Sequence, residues 1–177
     1  AGVPNAANRV GVGGSGTVTI KGAGSKWANL GDLLIGTSSG SGMVSVTDGG
    51  SVSVSGETRV GSGGTLMLSG AGSHGEVSDD ITIHGLLEVE DAGVISSEDG
   101  DIEGTVTIRG AGSQWMADDF IWVGGILEVA DGGQVLSQRG TVSGGGGVAM
   151  IHGADARWNI TDKLVVGYGG NGELRIE

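Results

Sequence analysis

The sequence lacks cysteine altogether, and it has one proline, one phenylalanine and one tyrosine among its 177 residues. Without cysteine there is no disulfide bond to hold the fold, and there is no thiol nucleophile or thiolate metal ligand. No run of apolar residues approaches the roughly 18 that a transmembrane helix needs. No segment combines helical spacing of apolar residues with capping residues, so we expect almost no helix. Packing and backbone pairing must therefore hold this chain together.

Basic residues are also scarce in this chain. It carries 9 Lys and Arg against 21 Asp and Glu, which gives a formal charge of −12. Between Arg59 and Arg109 there is no Lys or Arg, although ten carboxylates lie in that segment. Such a surface repels phosphate groups, which argues against binding to nucleic acids and to anionic membranes.

Glycine is the most abundant feature, with 40 residues in the chain. That share is about three times the usual one and would normally suggest disorder. Here the residues between the glycines are Val, Ile, Leu and Thr in alternation, which disordered segments lack. The alternation predicts short strands, and the glycines between them predict tight corners.

One string of residues occurs more than once. Residues 104–115 read GTVTIRGAGSQW, and residues 16–27 differ from them at two positions only. A third copy at 64–75 has glycine in place of the final Trp, and a fourth at 147–158 keeps the Trp but loses the second Gly and the Ser. Self-similarity on this scale indicates a repeat architecture.

Three kinds of corner recur between the strands. In the first kind, which occurs five times, an apolar residue followed by Gly precedes a glycine-rich turn. The second kind begins with an Asp, at Asp48, Asp91 and Asp131. The third kind is Gly-Ala-Gly-Ser. Three strands and three corners per coil predict a parallel β-helix that is all-β. The third corner recurs after 48, 40 and 43 residues, so each repeat covers two coils of about 20 residues and the chain makes about eight coils. The alternation predicts that these side chains point inward: Val18, Ile20, Val44, Val46, Leu87, Val89, Val106 and Ile108.

The predicted organisation is a lead-in segment at 1–9 and one β-helix repeat domain at 10–177. Ala1 is not a start methionine and the chain stops within an alternating strand, so we expect a fragment of a longer protein. An antiparallel β-sandwich also has short strands and regular turns. A sandwich has no reason to repeat near-identical strings about every 43 residues, which favours the solenoid.

The pattern Gly-x-Val-x-Ile-x-Gly-Ala-Gly-Ser-x-Trp, followed by an apolar-Gly corner and Asp-Gly-Gly, resembles the repeats of bacterial autotransporter passenger domains. The resemblance covers residues 10–177. It implies a single-stranded right-handed β-helix that is exported to the cell surface or secreted, and a C-terminal outer-membrane barrel in the full-length protein. It also implies an adhesin, a self-association module or a spacer, with partners that include the chain itself, a host-surface protein or a glycan.

Catalytic motifs are weak in this sequence. Residues 11–16 and 167–172 match the dinucleotide pattern G-x-G-x-x-G, but a strand follows each match where the motif needs a helix. The three histidines, His74, His84 and His152, show no spacing of a metal pair or of a catalytic base, and His84 and His152 are expected to face solvent. We therefore assign no catalytic, cofactor or metal residue and expect no enzyme. The alternative is a polysaccharide-degrading β-helix enzyme that uses surface carboxylates.

The acidic segment contains the main candidate for a cation site. Asp99, Asp101 and Glu103 occupy alternate positions, which in a strand places three carboxylates on one face. Calcium takes oxygen ligands of this kind, but the spacing lacks the full EF-hand pattern. A solvated, repulsive edge is the preferred interpretation, and calcium binding at these residues stays open.

Four tryptophans complete the candidate list. Trp27, Trp115 and Trp158 share one position of the repeat, where we expect them to cover the end of the core and to donate the indole N–H to a corner carbonyl. Trp122 lies outside that position, on an alternating run with Phe120, and is the better candidate for an exposed contact.

Overall fold

The computed structural model describes residues 7–177, and every regular element among them is a β-strand. The strands form three faces of a solenoid. The first face contains β1 (Asn8–Val10), β4 (Leu33–Ile35), β7 (Thr58–Val60), β10 (Ile81–Ile83), β13 (Gly100–Ile102) and β16 (Phe120–Val123). The second contains β2 (Ser15–Lys21), β5 (Ser41–Thr47), β8 (Gly64–Ser69), β11 (Leu86–Glu90), β14 (Thr105–Arg109), β17 (Ile126–Ala130), β19 (Gly147–His152) and β21 (Gly172–Ile176). The third contains β3 (Lys26–Asn29), β6 (Ser51–Val54), β9 (His74–Val77), β12 (Val94–Ser97) and β15 (Gln114–Ala117).

Two long strands, β18 (Gln134–Val142) and β20 (Arg157–Val166), pass from the third face to the first without a break. The first part of β18 pairs with β15 and its second part pairs with β16, so it joins the two faces into one 13-stranded sheet. The second face is a separate sheet of eight strands. All strand pairs are parallel, and each coil lies on the one before it.

These pairings confirm the predicted parallel β-solenoid of about eight coils. Seven coils contribute all three faces, and the eighth contributes the end of β20 and β21. The predicted lead-in at 1–9 lies mostly outside the described residues, and the first described strand already begins at Asn8. Among residues 7–177 there is no helix, so no helix of a length and apolarity suited to crossing a membrane occurs there.

Stacked apolar side chains fill the interior of the solenoid. On the second face one inward column is fully buried over five coils, because each side chain lies between its counterparts in the coils on either side. Its members are Val46, Leu68, Val89, Ile108 and Val129, each 0% exposed. The predicted inward positions are confirmed, although Val18 in the first described coil is only partly buried.

A serine of the Gly-Ala-Gly-Ser corner explains why the repeat covers two coils. Ser73 Oγ donates a hydrogen bond to the Ser69 carbonyl (2.7 Å) and accepts one from the Gly49 N–H in the previous coil (3.2 Å). Ser113 Oγ accepts the Ala92 N–H in the same way (3.0 Å). The corner that is capped begins with an Asp in the left-handed region, such as Asp48 with φ of 54°. The serine of one coil therefore caps the Asp corner of the previous coil. Corners with serine and corners with Asp alternate along the rod.

The repeated Trp needs partners on two other strands. Trp115 is 0% exposed, and its indole N–H donates to Ser97 Oγ in the previous coil (3.1 Å). Its six-membered ring fills the space beside Gly100, where a Cβ atom would lie 2.4 Å from the ring. Packing of this Trp is confirmed, but the predicted bond to a corner carbonyl is wrong, because the indole N–H points into the core and donates to a buried serine hydroxyl there.

The same arrangement recurs in the seventh coil. Trp158 donates to Ser137 Oγ (3.1 Å), and its ring fills the space beside Gly140. In the third coil Gly75 replaces the Trp, and Val54 then occupies the position that serine holds below the other two tryptophans. Trp and its serine partner are therefore present or absent together over these coils.

We expect Gly100→Ala to lower the free energy of unfolding by about 1–3 kcal/mol, because the new methyl group overlaps the Trp115 ring in a closed core. Urea unfolding followed by tryptophan fluorescence measures this. Gly14→Ala is the matched control, since a Cβ there meets no atom of the described residues within 4 Å. Equal stability of the two variants would contradict the packing described for Trp115.

We expect Ser73→Ala to cost about 1 kcal/mol, because the substitution leaves the Gly49 N–H without its acceptor. Ser25→Ala removes the same hydroxyl from the same corner in the first coil, where Ser25 bonds only its own Lys21 carbonyl among the described residues. Thermal unfolding of both variants should therefore show a larger loss for Ser73. A larger loss for Ser25 would show that the serine does not act across coils.

Candidate functional site

A groove runs along the corner between the third and first faces. It has a volume of about 460 Å³ and crosses several coils. We call it the acidic groove because four carboxylates line it together with hydroxyl and amide groups. Its lining residues are Glu76, Val77, Ser78, Ser96, Ser97, Glu98, Asp118, Asp119 and Gln138.

A column of carboxylates lies along this corner because the coils stack in register. The residues directly before β4, β7, β10 and β13 are Asp32, Glu57, Asp80 and Asp99, one in each of four successive coils. Burial raises the pKa of Asp80, and the negative charges of Asp99 and Asp79 raise it further. Stacking therefore brings like charges together along the rod.

Arg139 neutralises one carboxylate of the acidic groove. Its guanidinium donates two hydrogen bonds to the Asp119 carboxylate, one of them from Nε to Oδ1 at 2.9 Å, and it lies 5.6 Å from the centre of the Phe120 ring. The hydrogen bonds from Arg139 hold the pKa of Asp119 below its usual value. One rim of the acidic groove is therefore neutralised, while Glu76, Glu98 and Asp118 have no basic residue within salt-bridge distance among residues 7–177.

The three carboxylates expected on one strand face do not converge on a common point. Asp101 alone lies within β13, and the flanking residues turn to different partners. Asp99 Oδ1 accepts the Phe120 N–H in the next coil (2.9 Å), and Glu103 Oε2 lies 2.8 Å from His84 Nδ1 in the previous coil. Within the described part of the chain no group of three His, Cys, Asp or Glu residues is arranged to hold a metal ion.

Asp101 is an unusual carboxyl group on this surface. Its Oδ1 atom is covered and has no hydrogen-bond partner among residues 7–177. Burial is the main cause that raises the pKa of Asp101, and the negative charge of Glu103 adds to it, while His84 opposes the shift. The ionised form of Asp101 is thus unfavourable where it lies.

Trp122 is not the exposed contact that the sequence suggests. Its side chain is partly buried, and its indole N–H donates to Ser143 Oγ (3.1 Å). The ring lies against two corners that lack side chains, since a Cβ atom would come within 2.3 Å of it at Gly124 and within 2.5 Å at Gly144. Glycine at both corners therefore lets Trp122 fold onto the outside of the rod.

The histidines pair with glutamates of neighbouring coils. His84 lies beside Glu103, and His152 Nε2 lies 2.9 Å from Glu128 Oε1. Both histidine side chains are 38% exposed, in accord with their predicted position at the surface. Neither pair includes a serine nucleophile, so both are contacts between surface side chains of neighbouring coils.

The two matches to the dinucleotide motif are solenoid corners. Residues 11–16 lead into β2 and residues 167–172 lead into β21, and no helix follows either of them. Without a helix N-terminus there is no site for a pyrophosphate group of the dinucleotide kind.

The sequence patterns considered above do not predict the acidic groove. Its signal is present, because Asp79-Asp80, Glu98-Asp99 and Asp118-Asp119 each follow a third-face strand. Grouping carboxylates along one strand hides that signal, whereas aligning successive coils reveals it.

We expect Asp101→Asn to raise the thermal midpoint by about 1–2 °C near neutral pH, a modest gain because the carboxyl group is only partly buried. An acid whose pKa is raised by folding favours the folded state when protonated, and that benefit is lost as the pH rises through the folded-state pKa. The gain should therefore vanish at about pH 3, where Asp101 is protonated in both states. Asp118→Asn removes a charge from an exposed side chain and is the control. Equal gains in the two variants would assign the effect to net charge.

Comparison of the chain with protein-family models, with curated proteins and with solved structures finds no match. The parallel β-solenoid is therefore established by the strand pairings of this chain itself. Its function has to be argued from the surface that those pairings create.

Proposed function

We propose that the chain is a rod-like segment of a bacterial surface protein that acts as an adhesin, a self-association module or a spacer and catalyses no reaction. One observation supports this most directly: three outer faces continue from coil to coil, and no connection between described strands exceeds five residues. Such a rod offers long, regular surfaces and no long loop to enclose a substrate.

The repeat pattern supports a place outside the cell. Its resemblance to autotransporter passengers suggests a secreted or surface-bound rod, which a C-terminal outer-membrane barrel would hold in the full-length protein. The partners we propose are the chain itself, a host-surface protein or a glycan. A formal charge of −12 makes nucleic acid an unfavourable partner.

An enzyme that degrades polysaccharide is the second candidate, and the acidic groove favours it. Glu98 and Asp118 lie in one concave surface together with serine hydroxyls and the Gln138 amide. Glycoside hydrolysis needs two carboxyl groups about 5–10 Å apart. The basic group beside the groove, Arg139, is bound to Asp119.

We expect beads coated with the chain to cluster with one another, or to adhere to surfaces coated with glycans or host-matrix protein, more than albumin-coated beads do. Multivalent display strengthens weak contacts between faces, so bead adhesion detects binding that free chains conceal. Fluorescence microscopy of mixed bead populations separates self-clustering from adhesion to a coated surface.

The same preparation should release no reducing ends from neutral or acidic polysaccharides. Release of reducing ends by the chain, with loss of that activity in Glu98→Gln, would contradict the non-catalytic function and support the enzyme. Ser45→Ala, in a buried position outside the groove, controls for effects on folding.

A further inference from the structure

The outer side of the second face carries large apolar side chains. Outward residues alternate with the buried inward ones along each strand, and six of the outward residues are Met, Leu, Ile or Val. They are Met43, Met67, Leu86, Ile126, Val148 and Met150. Met43 is 37% exposed and Ile126 is 41% exposed. Apolar side chains grouped in this way on an outer surface mark an interaction site.

Most of these side chains share one column of the stack. We call it the apolar column, and its members in successive coils are Met43, Thr65, Leu86, Thr105, Ile126 and Val148. Met67 and Met150 lie in the next outward column, so three of the four methionines of the chain point outward from this face. Methionine suits a contact surface because its flexible side chain adapts to a partner.

The second face is also nearly neutral. Its strands hold three Lys and Arg against four Glu, so one negative charge of the formal −12 lies there. Arg109 is paired with Glu90 of the previous coil, and Arg175 is paired with Glu173 of its own strand. Two such acidic rods therefore repel each other least when they meet through this face.

The face is large enough for a stable contact with a second copy of the chain. Eight strands about 4.8 Å apart, each with about five residues at about 3.3 Å, cover about 38 by 17 Å. Two such faces in contact would bury about 1,300 Å², which is within the range of specific protein interfaces. The two sheets would lie about 10 Å apart, as the sheets of a β-sandwich do.

The pattern of this face is complementary to itself in one antiparallel register. A two-fold axis that runs along the strands, between β11 and β14, places Glu90 of each copy opposite Arg109 of the other, and Leu86 opposite Thr105. In the coils further from the axis, Thr65 lies opposite Ile126 and Met43 lies opposite Val148. No two residues of like charge on these strands lie directly opposite each other.

Neighbouring registers lack this property. An axis through β11 places Glu88 and Glu90 opposite the same residues of the other copy, and an axis through β14 does so for Arg109. Like charges directly opposite each other oppose association. The charges on the face therefore select the register between β11 and β14.

We propose that two copies of the chain pack side by side and antiparallel through their second faces, with the two-fold axis between β11 and β14. The Arg109–Glu90 pairs of the two copies then form a ring of four alternating charges at the axis. The apolar column of each copy covers that of the other, and the contact uses neither end of the chain. This deepens the proposed function, because it rests on the rod being a self-association module and identifies the surface that associates.

Sedimentation velocity over a range of concentrations tests this on the 177-residue chain. We expect a dimer that grows no further, because a two-fold contact uses the same face of both copies and is then complete. A monomer at all concentrations, or species larger than the dimer that grow with concentration, would overturn the proposal.

Arg109→Glu should weaken the dimer about tenfold, because two symmetry-related contacts change from attraction to repulsion. The double variant Arg109→Glu with Glu90→Arg should recover most of the loss, since the ring of charges is restored with its signs reversed. Arg139→Glu is the matched control, because Arg139 also pairs with a carboxylate of the previous coil, but beside the acidic groove. An equal effect of the control, or a double variant no better than Arg109→Glu, would each count against this contact.

Ile126→Lys should also weaken the dimer about tenfold, because it places a charge within the apolar column. This change makes the rod less acidic, so a weaker dimer could not be assigned to general repulsion between the copies. Leu136→Lys makes the same kind of change on the outer side of the third face and should have little effect. Full association of Ile126→Lys would exclude the second face as the contact.

Thermal unfolding of each variant verifies that its coils remain folded. Beads that adhere to glycans or host-matrix protein while sedimentation shows only monomer would leave the proposed adhesive function standing and remove this contact alone.

Discussion

Parallel pairing of each coil with the next is the constraint on which this structure depends. Adjacent strands lie about 4.8 Å apart, so every side chain is held against its counterparts in the coils on either side. The inward columns follow from this, since Val46, Leu68 and Val89 occupy one line and are each 0% exposed. A residue is accepted at a position only if it suits the neighbours in its column.

Close stacking explains the composition of the corners. A Cβ atom on Gly64 would lie 2.1 Å from the Ile35 carbonyl oxygen, so the chain there admits no side chain. Glycine occurs 40 times because corners recur in every coil, and several of them also need a positive φ. Where a corner has space for side chains, those of neighbouring coils contact each other, as His84 and Glu103 do.

Stacking has a cost on the outer surface, because columns of like residues bring like charges together. The raised pKa of Asp80 reflects this, as burial and the charges of Asp99 and Asp79 all oppose its ionisation. A line of carboxylates along one corner also makes lateral contact between two such rods unfavourable at that corner.

The strands, the corners and the inward positions could be read from the sequence, since alternation and glycine turns are local properties of the chain. The two-coil period was equally visible, although its cause, a serine that caps the corner of the previous coil, was not. The candidate cation site could not be predicted in this way. Asp99, Asp101 and Glu103 alternate in sequence, yet their partners lie in other coils.

The sequence by itself determined that this protein is an acidic solenoid of parallel strands, with a Trp at one repeat position in three of its coils. Only the tertiary structure decided which residues meet across coils: Trp115 with Ser97 and Gly100, Trp122 with glycine corners, and the carboxylates of the acidic groove with one another. The reason is that coil length varies, from 25 residues between Trp27 and Val52 to 20 between Ile95 and Trp115. Register between coils is a long-range property that local alternation does not encode.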